Sequence, residues 1–145
     1  MPTVRDLLAR KSADLVSISG ATTVYDAACL MVERGIGGLT VTEAGGGLAG
    51  IFTERDVLRR VVAERKDPAT TLVRDVMTSP VITVTPETSV EECRSTFSSR
   101  RIRHLPVIGA KGLCGIVSSG DVLAFEVAES QSTIRHLQDY VYFNR

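Results

Sequence analysis

Short apolar runs alternate along this chain with segments in which apolar residues recur every three or four positions. Runs of the first kind predict strands, and segments of the second kind predict amphipathic helices with one buried face. In the first half, strands are predicted at 15–19, 39–41 and 48–52, and helices at 23–34 and 54–64. The first of these helices would bury Val24, Ala27 and Met31.

The second half repeats this order of elements. Strands are predicted at 81–85, 105–108 and 113–117, and helices at 88–99 and 119–128. The helix at 88–99 would bury Val90, Cys93 and Phe97, and N-caps are expected at Thr22 and at Glu87-Thr88. Because the order recurs, the sequence predicts a mixed α+β fold built from two tandem β-α-β-β-α repeats.

One motif closes the last strand of each repeat. It reads Gly50-Ile51-Phe52-Thr53-Glu54-Arg55-Asp56 in the first and Gly115-Ile116-Val117-Ser118-Ser119-Gly120-Asp121 in the second. A hydroxyl residue ends the strand, and an aspartate follows three positions later as a helix begins. This spacing fits a capping box with Asp in place of Glu, which needs no ligand. It also fits a carboxylate presented to a ligand beside a helix N-terminus.

Glycine-rich turns, a linker and a tail complete the pattern. Residues 45–47 and 109–112 are predicted as hairpin turns. The triple glycine lies between two strands and lacks a following Lys-Ser/Thr, which disfavours a phosphate loop. Residues 66–69 form a polar linker, and 132–143 predict an extra amphipathic helix with Ile134, Leu137 and Val141 on one face. Its aromatic residues Tyr140, Tyr142 and Phe143 are expected to pack on the body or on a partner subunit.

The composition narrows the class of protein. In 145 residues, 43% are hydrophobic and 17 basic residues balance 17 acidic ones, which predicts a soluble globular protein and disfavours nucleic acid and anionic membrane as partners. No apolar run approaches membrane-spanning length, and no signal peptide precedes the repeats, so a cytoplasmic location is expected. Cys29, Cys93 and Cys114 are interpreted as buried reduced thiols. With two histidines, no nucleophile motif and no metal-ligand spacing, neither catalysis nor a metal site is predicted.

Further residues carry a resemblance to a known family. The duplicated unit and its motif, together with Asp75-Val76-Met77-Thr78-Ser79-Pro80 and Arg103-His104-Leu105-Pro106-Val107, resemble a tandem pair of cystathionine-β-synthase (CBS) domains, a Bateman module. The resemblance implies a first repeat over 1–66, a second over 73–129 and a helical tail over 130–145. It also implies that the repeats pack about a pseudo-twofold axis and leave two clefts.

The same resemblance implies a function. Many CBS pairs bind adenosine compounds and signal to a partner, so we expect a regulatory module that binds AMP, ADP or ATP, with S-adenosylmethionine and NAD(H) ranking below, and an effector protein of unknown identity. The alternative is a CBS scaffold or dimerisation module without a ligand. The chain resembles stand-alone versions, which form homodimers. A homodimer is also expected because the helix faces Val24/Met31, Val90/Phe97, Val57/Val61 and Val122/Val127 exceed what the small sheets can cover.

Candidate binding residues follow from the chemistry of a nucleotide. Asp56 and Asp121 could accept hydrogen bonds from a ribose diol, while Thr53 and Ser118 lie at helix starts that favour phosphate. Val16 with 36–38, and Ile82 with 102–104, would wall two slots for the base. Candidate phosphate partners are Arg55, Arg101, Arg103 and His104, and the site set further includes Gly37, Gly38, Met77, Ile102, Pro106 and Gly120.

Other interpretations of these cations stay open. His104 alone is typical of a surface or capping histidine, and the arginines could be solvated or pair with Glu87, Glu91 and Glu92. The first half departs from the family pattern, since Gly37-Gly38-Leu39-Thr40 replaces Arg103-His104-Leu105-Pro106 and Leu8-Ala9-Arg10 replaces Met77-Thr78-Ser79. Phosphorylated ligands are therefore expected to bind more tightly in the second cleft.

Overall fold

The structure is a computed structural model that describes residues 1–11 and 15–143. Its secondary structure is mixed, which confirms the predicted α+β class. The helices are α1 (Val4–Arg10), α2 (Val24–Arg34), α3 (Glu54–Asp56), α4 (Val73–Val76), α5 (Val90–Arg100) and α6 (Ser119–Phe143). The strands are β1 (Ser17–Ser19), β2 (Gly38–Thr42), β3 (Leu48–Thr53), β4 (His104–Gly109) and β5 (Gly112–Ser118).

The described chain forms two compact units that mix the two halves of the sequence. One unit contains residues 1–11, 85–104 and 117–143, and the other contains 15–84 and 105–116. In the first unit α1, the first helix of the first repeat, packs against α6 of the second repeat. In the second unit α4, the first helix of the second repeat, packs against β3 of the first. Each unit thus receives its short leading helix from the other repeat.

A three-stranded sheet with α2 forms the core of the unit that contains 15–84. β1 runs parallel to β2, and β2 runs antiparallel to β3. α2 begins at its N-cap Thr23, whose side chain accepts the Asp26 N–H, and ends at Gly35 in the left-handed conformation. The predicted buried face of α2 is confirmed, and the buried core comprises Val24, Ala27, Met31, Leu39, Val41, Phe52, Val61, Val73 and Val76.

Helices form the core of the other unit. α5 buries Val90, Cys93 and Phe97, as its spacing predicts. Val4 and Leu7 of α1, and Val122 and Phe125 of α6, are buried in the same unit. Contacts at the surface join these helices. Arg10 of α1 pairs with Glu129 of α6 at 2.5 Å, and its guanidinium lies 5.0 Å from the centroid of the Phe125 ring. Arg94 of α5 pairs with Glu126 of α6 at 3.1 Å.

The strand predicted at 81–85 is wrong, and Pro106 gives the reason. Val84 makes one isolated parallel bridge, donating to the Pro106 carbonyl at 3.0 Å and accepting from Ile108 at 2.8 Å. Extending this parallel ladder towards Ile82 would require an N–H donor at position 106, which proline lacks. The first repeat has Thr40 at the matching position, and there β1 pairs with β2 over three residues.

The helix boundaries also differ from the predictions. The segments predicted at 119–128 and 132–143 form one helix, α6, because no glycine or proline interrupts the residues between them. The helix predicted at 54–64 begins as α3 and continues as a π-helix over Val57–Val62, in which the Ala63 N–H donates to the Leu58 carbonyl. The expected caps Thr22 and Glu87-Thr88 are each off by one or two positions, since Thr23 and Ser89 are the N-caps.

The exposed apolar surface lies mostly on residues other than those predicted. Val24, Met31, Val61, Val90, Phe97 and Val122 are buried within the units, so among the predicted faces only Val127 is strongly exposed, at 47%. The large apolar side chains exposed on α2, the π-helix and the first turns of α6 are Tyr25, Val32, Leu58, Val62 and Leu123.

Two of the three cysteines contradict the expectation of buried thiols. Cys93 is buried, but Cys29 and Cys114 are exposed, and all three are free. Burial raises the pKa of the Cys93 thiol to about 11, with a smaller contribution from Glu92. The physical reason for the difference is position, since Cys93 shares the inner face of α5 with Val90 and Phe97.

The described side chains of the tail, from residue 130 to residue 141, are all exposed. Tyr140 is 68% exposed, and the side chains of Tyr142 and Phe143 lie outside the described part of the chain. Among the described residues, none of the helices is both long enough and apolar enough to cross a membrane.

Candidate functional site

The first motif forms a capping box at the start of α3. The Thr53 N–H donates to Asp56 Oδ2 at 3.0 Å, and the Asp56 N–H donates to Thr53 Oγ1 at 3.4 Å. This reciprocal pair satisfies two backbone donors that a helix start would otherwise leave without partners. The Asp56 carboxylate is almost fully buried, with 7% of its side chain exposed.

Two residues that were not among the predicted site residues also contact Asp56. The Thr78 hydroxyl donates to Oδ1 at 3.0 Å, and Arg60 Nε lies 3.6 Å from the same oxygen. Arg60 also donates to the Met77 carbonyl at 2.8 Å. Both carboxylate oxygens of Asp56 therefore have protein partners. The bonds from Thr78 to Asp56 and from Arg60 to Met77 hold residues 77–78 against the start of α3. Thr78 belongs to the motif at 75–80, but nothing in that motif indicates a contact with Asp56. The i,i+4 spacing of Asp56 and Arg60 could have predicted their ion pair.

The second motif has the same backbone geometry in more open surroundings. The Ser118 N–H donates to Asp121 Oδ2 at 2.8 Å, and the Asp121 N–H donates to Ser118 Oγ at 3.0 Å. The side chain of Asp121 is 24% exposed, more than three times the exposed fraction of Asp56. The capping interpretation of the sequence is thus correct for both aspartates, and only Asp121 also reaches the surface.

Lys11 is the residue at this motif that sequence reasoning missed. Its Nζ donates to Asp121 Oδ2 at 2.7 Å, and 20% of the Lys11 side chain is exposed. Lys11 follows the last residue of α1, and the packing of α1 on α6 delivers it to Asp121 across 110 positions of sequence. No local pattern predicts this contact, because it depends on the exchange of leading helices. Thr78, which contacts Asp56, has Ala9 as its counterpart, and alanine offers no hydroxyl to Asp121.

The backbone N–H groups at both helix starts already have acceptors. The Glu54 N–H donates to the Gly37 carbonyl at 3.0 Å, and the Ser119 N–H donates to the Arg103 carbonyl at 2.9 Å. These bonds occupy the same place in the two repeats. A phosphate group would therefore find its partners among charged side chains more readily than among these amides.

The remaining candidates of the first cleft lie in one unit. Val16 and Met77 are partly buried and pack against its core, and the Val16 carbonyl accepts from Thr40 at 3.3 Å. Gly38 is buried and begins β2, while a Cβ on Gly37 would lie 3.2 Å from the Glu54 carboxylate. Arg55 is half-buried in α3. Whether these residues bind a base stays a prediction.

The remaining candidates of the second cleft have varied exposure. Arg103 and Gly120 are exposed, Ile102 and His104 are half-buried, and Ile82 is 41% exposed. Pro106 is fully buried. Arg101 ends α5 in the left-handed conformation at φ 54°, where the first repeat has Gly35. Of these, Arg103 is joined to the start of α6 by the backbone contact with Ser119 described above.

The residues around Asp121 are more accessible to a ligand than those around Asp56. A ribose diol needs a carboxylate that it can reach, and a phosphate needs a cation. Asp121 is partly exposed and has the Lys11 ammonium beside it, whereas the oxygens of Asp56 are buried and engaged. Within the described residues, no group of histidine, cysteine and acidic side chains is arranged to hold a metal ion.

Comparisons with known proteins agree with this architecture. A family model described as the CBS domain matches residues 4–63 and again residues 73–128. The chain is 42% identical over 123 residues to the mitochondrial CBS domain-containing protein CBSX3 of Arabidopsis thaliana, an alignment that covers 82% of this chain and 60% of that protein. It is 30% identical over 132 residues to the CBS domain-containing protein YhcV of Bacillus subtilis, covering 91% of each.

A solved structure supports the same assignment. A protein with CBS domains from Burkholderia ambifaria superposes with a TM-score of 0.82 at 38% identity, covering 87% of this chain and 94% of that one. Both halves of the sequence match one family model, and the relatives carry CBS pairs of the kind that is generally regulatory rather than catalytic. The chain therefore belongs to the CBS-domain family and contains two CBS domains in tandem.

Proposed function

We propose that this CBS pair is a regulatory module that binds an adenine nucleotide, AMP, ADP or ATP, at the start of α6 and passes the signal to an effector protein. The observation that carries the proposal is the surface position of Asp121, whose carboxylate is partly exposed and whose described contacts fall on Oδ2. An ionised carboxylate can accept several hydrogen bonds, so two ribose hydroxyls can reach it while the capping bond persists.

Lys11 gives this site its preference for a phosphorylated ligand. In the structure the Lys11 ammonium balances Asp121 at 2.7 Å. When a diol replaces this contact, the flexible ammonium can turn to a phosphate oxygen, and it remains within the site. Arg103, whose carbonyl accepts from the Ser119 N–H, is a further candidate phosphate partner. Because a nucleotide phosphate brings negative charge towards Lys11 and Arg103, its affinity should fall as salt rises.

A CBS scaffold or dimerisation module without a ligand is the second candidate function. One observation favours it: both motif aspartates complete capping boxes with their own chain. The structural role of the motif would then be sufficient to explain both aspartates. The two functions differ in what a nucleotide does to the protein.

Thermal unfolding with and without ligands separates these functions. The probes are AMP, ADP and ATP, with adenosine, S-adenosylmethionine and NADH for comparison. A ligand at 100 times its dissociation constant should stabilise the native protein by about 2.7 kcal/mol. If none of the six compounds shifts the unfolding temperature, the scaffold function is supported and the proposal is wrong.

A substitution at Asp121 then assigns the site. Asp121→Ala should weaken nucleotide binding measured by calorimetry at least about tenfold, because hydrogen bonds to a charged group contribute about 1.5–3 kcal/mol each. Asp6→Ala is the matched control, since Asp6 completes the capping box of α1 with Thr3. The control should lose about 1 kcal/mol of stability and keep its nucleotide affinity. Equal affinities for the two variants would place the ligand elsewhere.

A further inference from the structure

The second half of α6 extends from the protein as an exposed helix with an apolar stripe. Its first turns pack through Val122 and Phe125, which are buried. From residue 130 to residue 141, every side chain is exposed. Along the whole of α6, five large apolar side chains are 47–63% exposed: Leu123, Val127, Ile134, Leu137 and Val141.

These five residues follow a heptad repeat. Val127, Ile134 and Val141 are seven residues apart and occupy position a, while Leu123, Ser130 and Leu137 occupy position d. A spacing of alternating three and four residues keeps the stripe on one side of a supercoiled helix. In parallel coiled coils, β-branched residues at a with leucine at d favour two strands over three or four. The pattern therefore suits a pair of helices when they run parallel.

Charge is absent from the flanks of the stripe over its last two heptads. Positions e and g there are Gln131, Thr133, Gln138 and Tyr140. The charged residues Glu129, Arg135 and Asp139 lie at the other positions of the heptad. Glu126, the one acidic flank, pairs with Arg94 of its own unit at 3.1 Å. Depletion of charge around an apolar centre is typical of a protein interface.

A membrane surface suits this stripe less well than a protein does. Interfacial helices carry a polar face rich in lysine and arginine, which binds anionic lipid. Between residues 123 and 143, Arg135 is the one basic residue, and it is outnumbered by Glu126, Glu129 and Asp139. The excess of acidic residues would oppose binding to an anionic bilayer.

We infer that the stripe Leu123–Val141 pairs with the same stripe of a second copy as a parallel two-stranded coiled coil. A twofold interface brings each residue of such a stripe against its own counterpart, so one self-complementary surface is sufficient. The inference does not depend on nucleotide binding. Fewer than three heptads are marginal in isolation, so the pairing is expected in the full chain rather than in an excised peptide.

Ser130 provides a test by gain of affinity. It is the one polar residue at an a or d position of the stripe, so Ser130→Leu should lower the dimer dissociation constant at least about tenfold. Ser132→Leu is the matched control because it makes the same change at position f, away from the stripe. Sedimentation equilibrium on the full chain gives both constants. If the two variants dimerise equally, the inference is wrong.

A loss of affinity and a cross-link complete the test. Leu137→Glu should raise the dissociation constant at least about tenfold, since it places like charges opposite each other, whereas Arg135→Glu should not. With the exposed Cys29 and Cys114 changed to serine, Leu137→Cys should form a disulfide between copies under mild oxidation and Asp139→Cys should not. A dimer that survives Leu137→Glu unchanged, a dimer in which Leu137→Cys forms no disulfide, or a monomer that binds anionic vesicles would each overturn the inference.

Discussion

Asp56 and Asp121 occupy the same place in two copies of one motif, but they differ in burial and in partners. Asp56 is buried and accepts from Thr53 and Thr78, so Asp56→Ala leaves an N–H and a hydroxyl without an acceptor. We expect this substitution to lower the free energy of unfolding by about 2–4 kcal/mol, against about 1 kcal/mol for Asp121→Ala. Urea unfolding of both variants measures the difference.

The control for Asp56 is Thr78→Val, which removes one of the two donors at nearly constant volume. Its cost should lie between zero and that of Asp56→Ala, because the capping box remains. Equal losses for Asp56→Ala and Asp121→Ala would show that the burial of Asp56 adds nothing to its role as a cap.

Cys93 gives the stability of the protein a dependence on pH. Its pKa is raised from 9.0 to about 11 by burial. Below pH 9 both the folded and the unfolded thiol are protonated, so stability does not change there. Between pH 9 and pH 11 the unfolded thiol ionises while the folded one does not, and stability should fall as pH rises. Cys93→Ala should remove this slope from urea unfolding curves measured across that range.

Reagent labelling offers an independent measurement on the native protein. At pH 8 a thiol reagent should modify Cys29 and Cys114 rapidly and Cys93 only at the rate at which the protein opens. Three thiols of equal reactivity would contradict the buried position of Cys93.

Among the elements, helices with a strong 3.6-residue period could be predicted from the sequence, including their buried residues. α2 and α5 are correct in both respects, because every third or fourth side chain must meet the core. The strand at 81–85 was predicted wrongly, because extending its pairing would require an N–H at position 106, where the chain has a proline. That position lies more than twenty residues away in the sequence. The break predicted before residue 132 was wrong because amphipathic stripes on different faces do not require separate helices.

β3 depends on a glycine at the first position of its motif. A Cβ on Gly50 would lie 2.7 Å from both Met77 Sδ and the Thr78 carbonyl oxygen, and Thr78 bonds to Ile51 through its backbone. Gly50→Ala should therefore lower the free energy of unfolding by about 1–3 kcal/mol. Gly45→Ala is the control, because nothing lies within 4 Å of its added Cβ. A similar stability of the two variants in urea would contradict the close approach.

At the scale of the whole molecule, the units are not the repeats. The sequence shows two repeats in tandem, and it contains no signal that α1 would join the helices of the second repeat. The contact between Lys11 and Asp121 follows from this exchange, which is why the motif aspartates could be predicted and their cation could not. The capping role of both aspartates could be predicted from the sequence, because it depends on residues that are three positions apart.

The uninterrupted course of α6 has a consequence for regulation. The helix has 25 residues and is about 37 Å long, with the proposed nucleotide contact at one end and the proposed pairing stripe along the remainder. If both proposals are correct, nucleotide binding and the pairing of two copies both involve α6. Thermodynamic reciprocity then requires that, if a nucleotide changes the pairing of two copies, pairing changes nucleotide affinity by the same factor. The amount of this protein in a cell would therefore help to set the nucleotide concentration to which it responds.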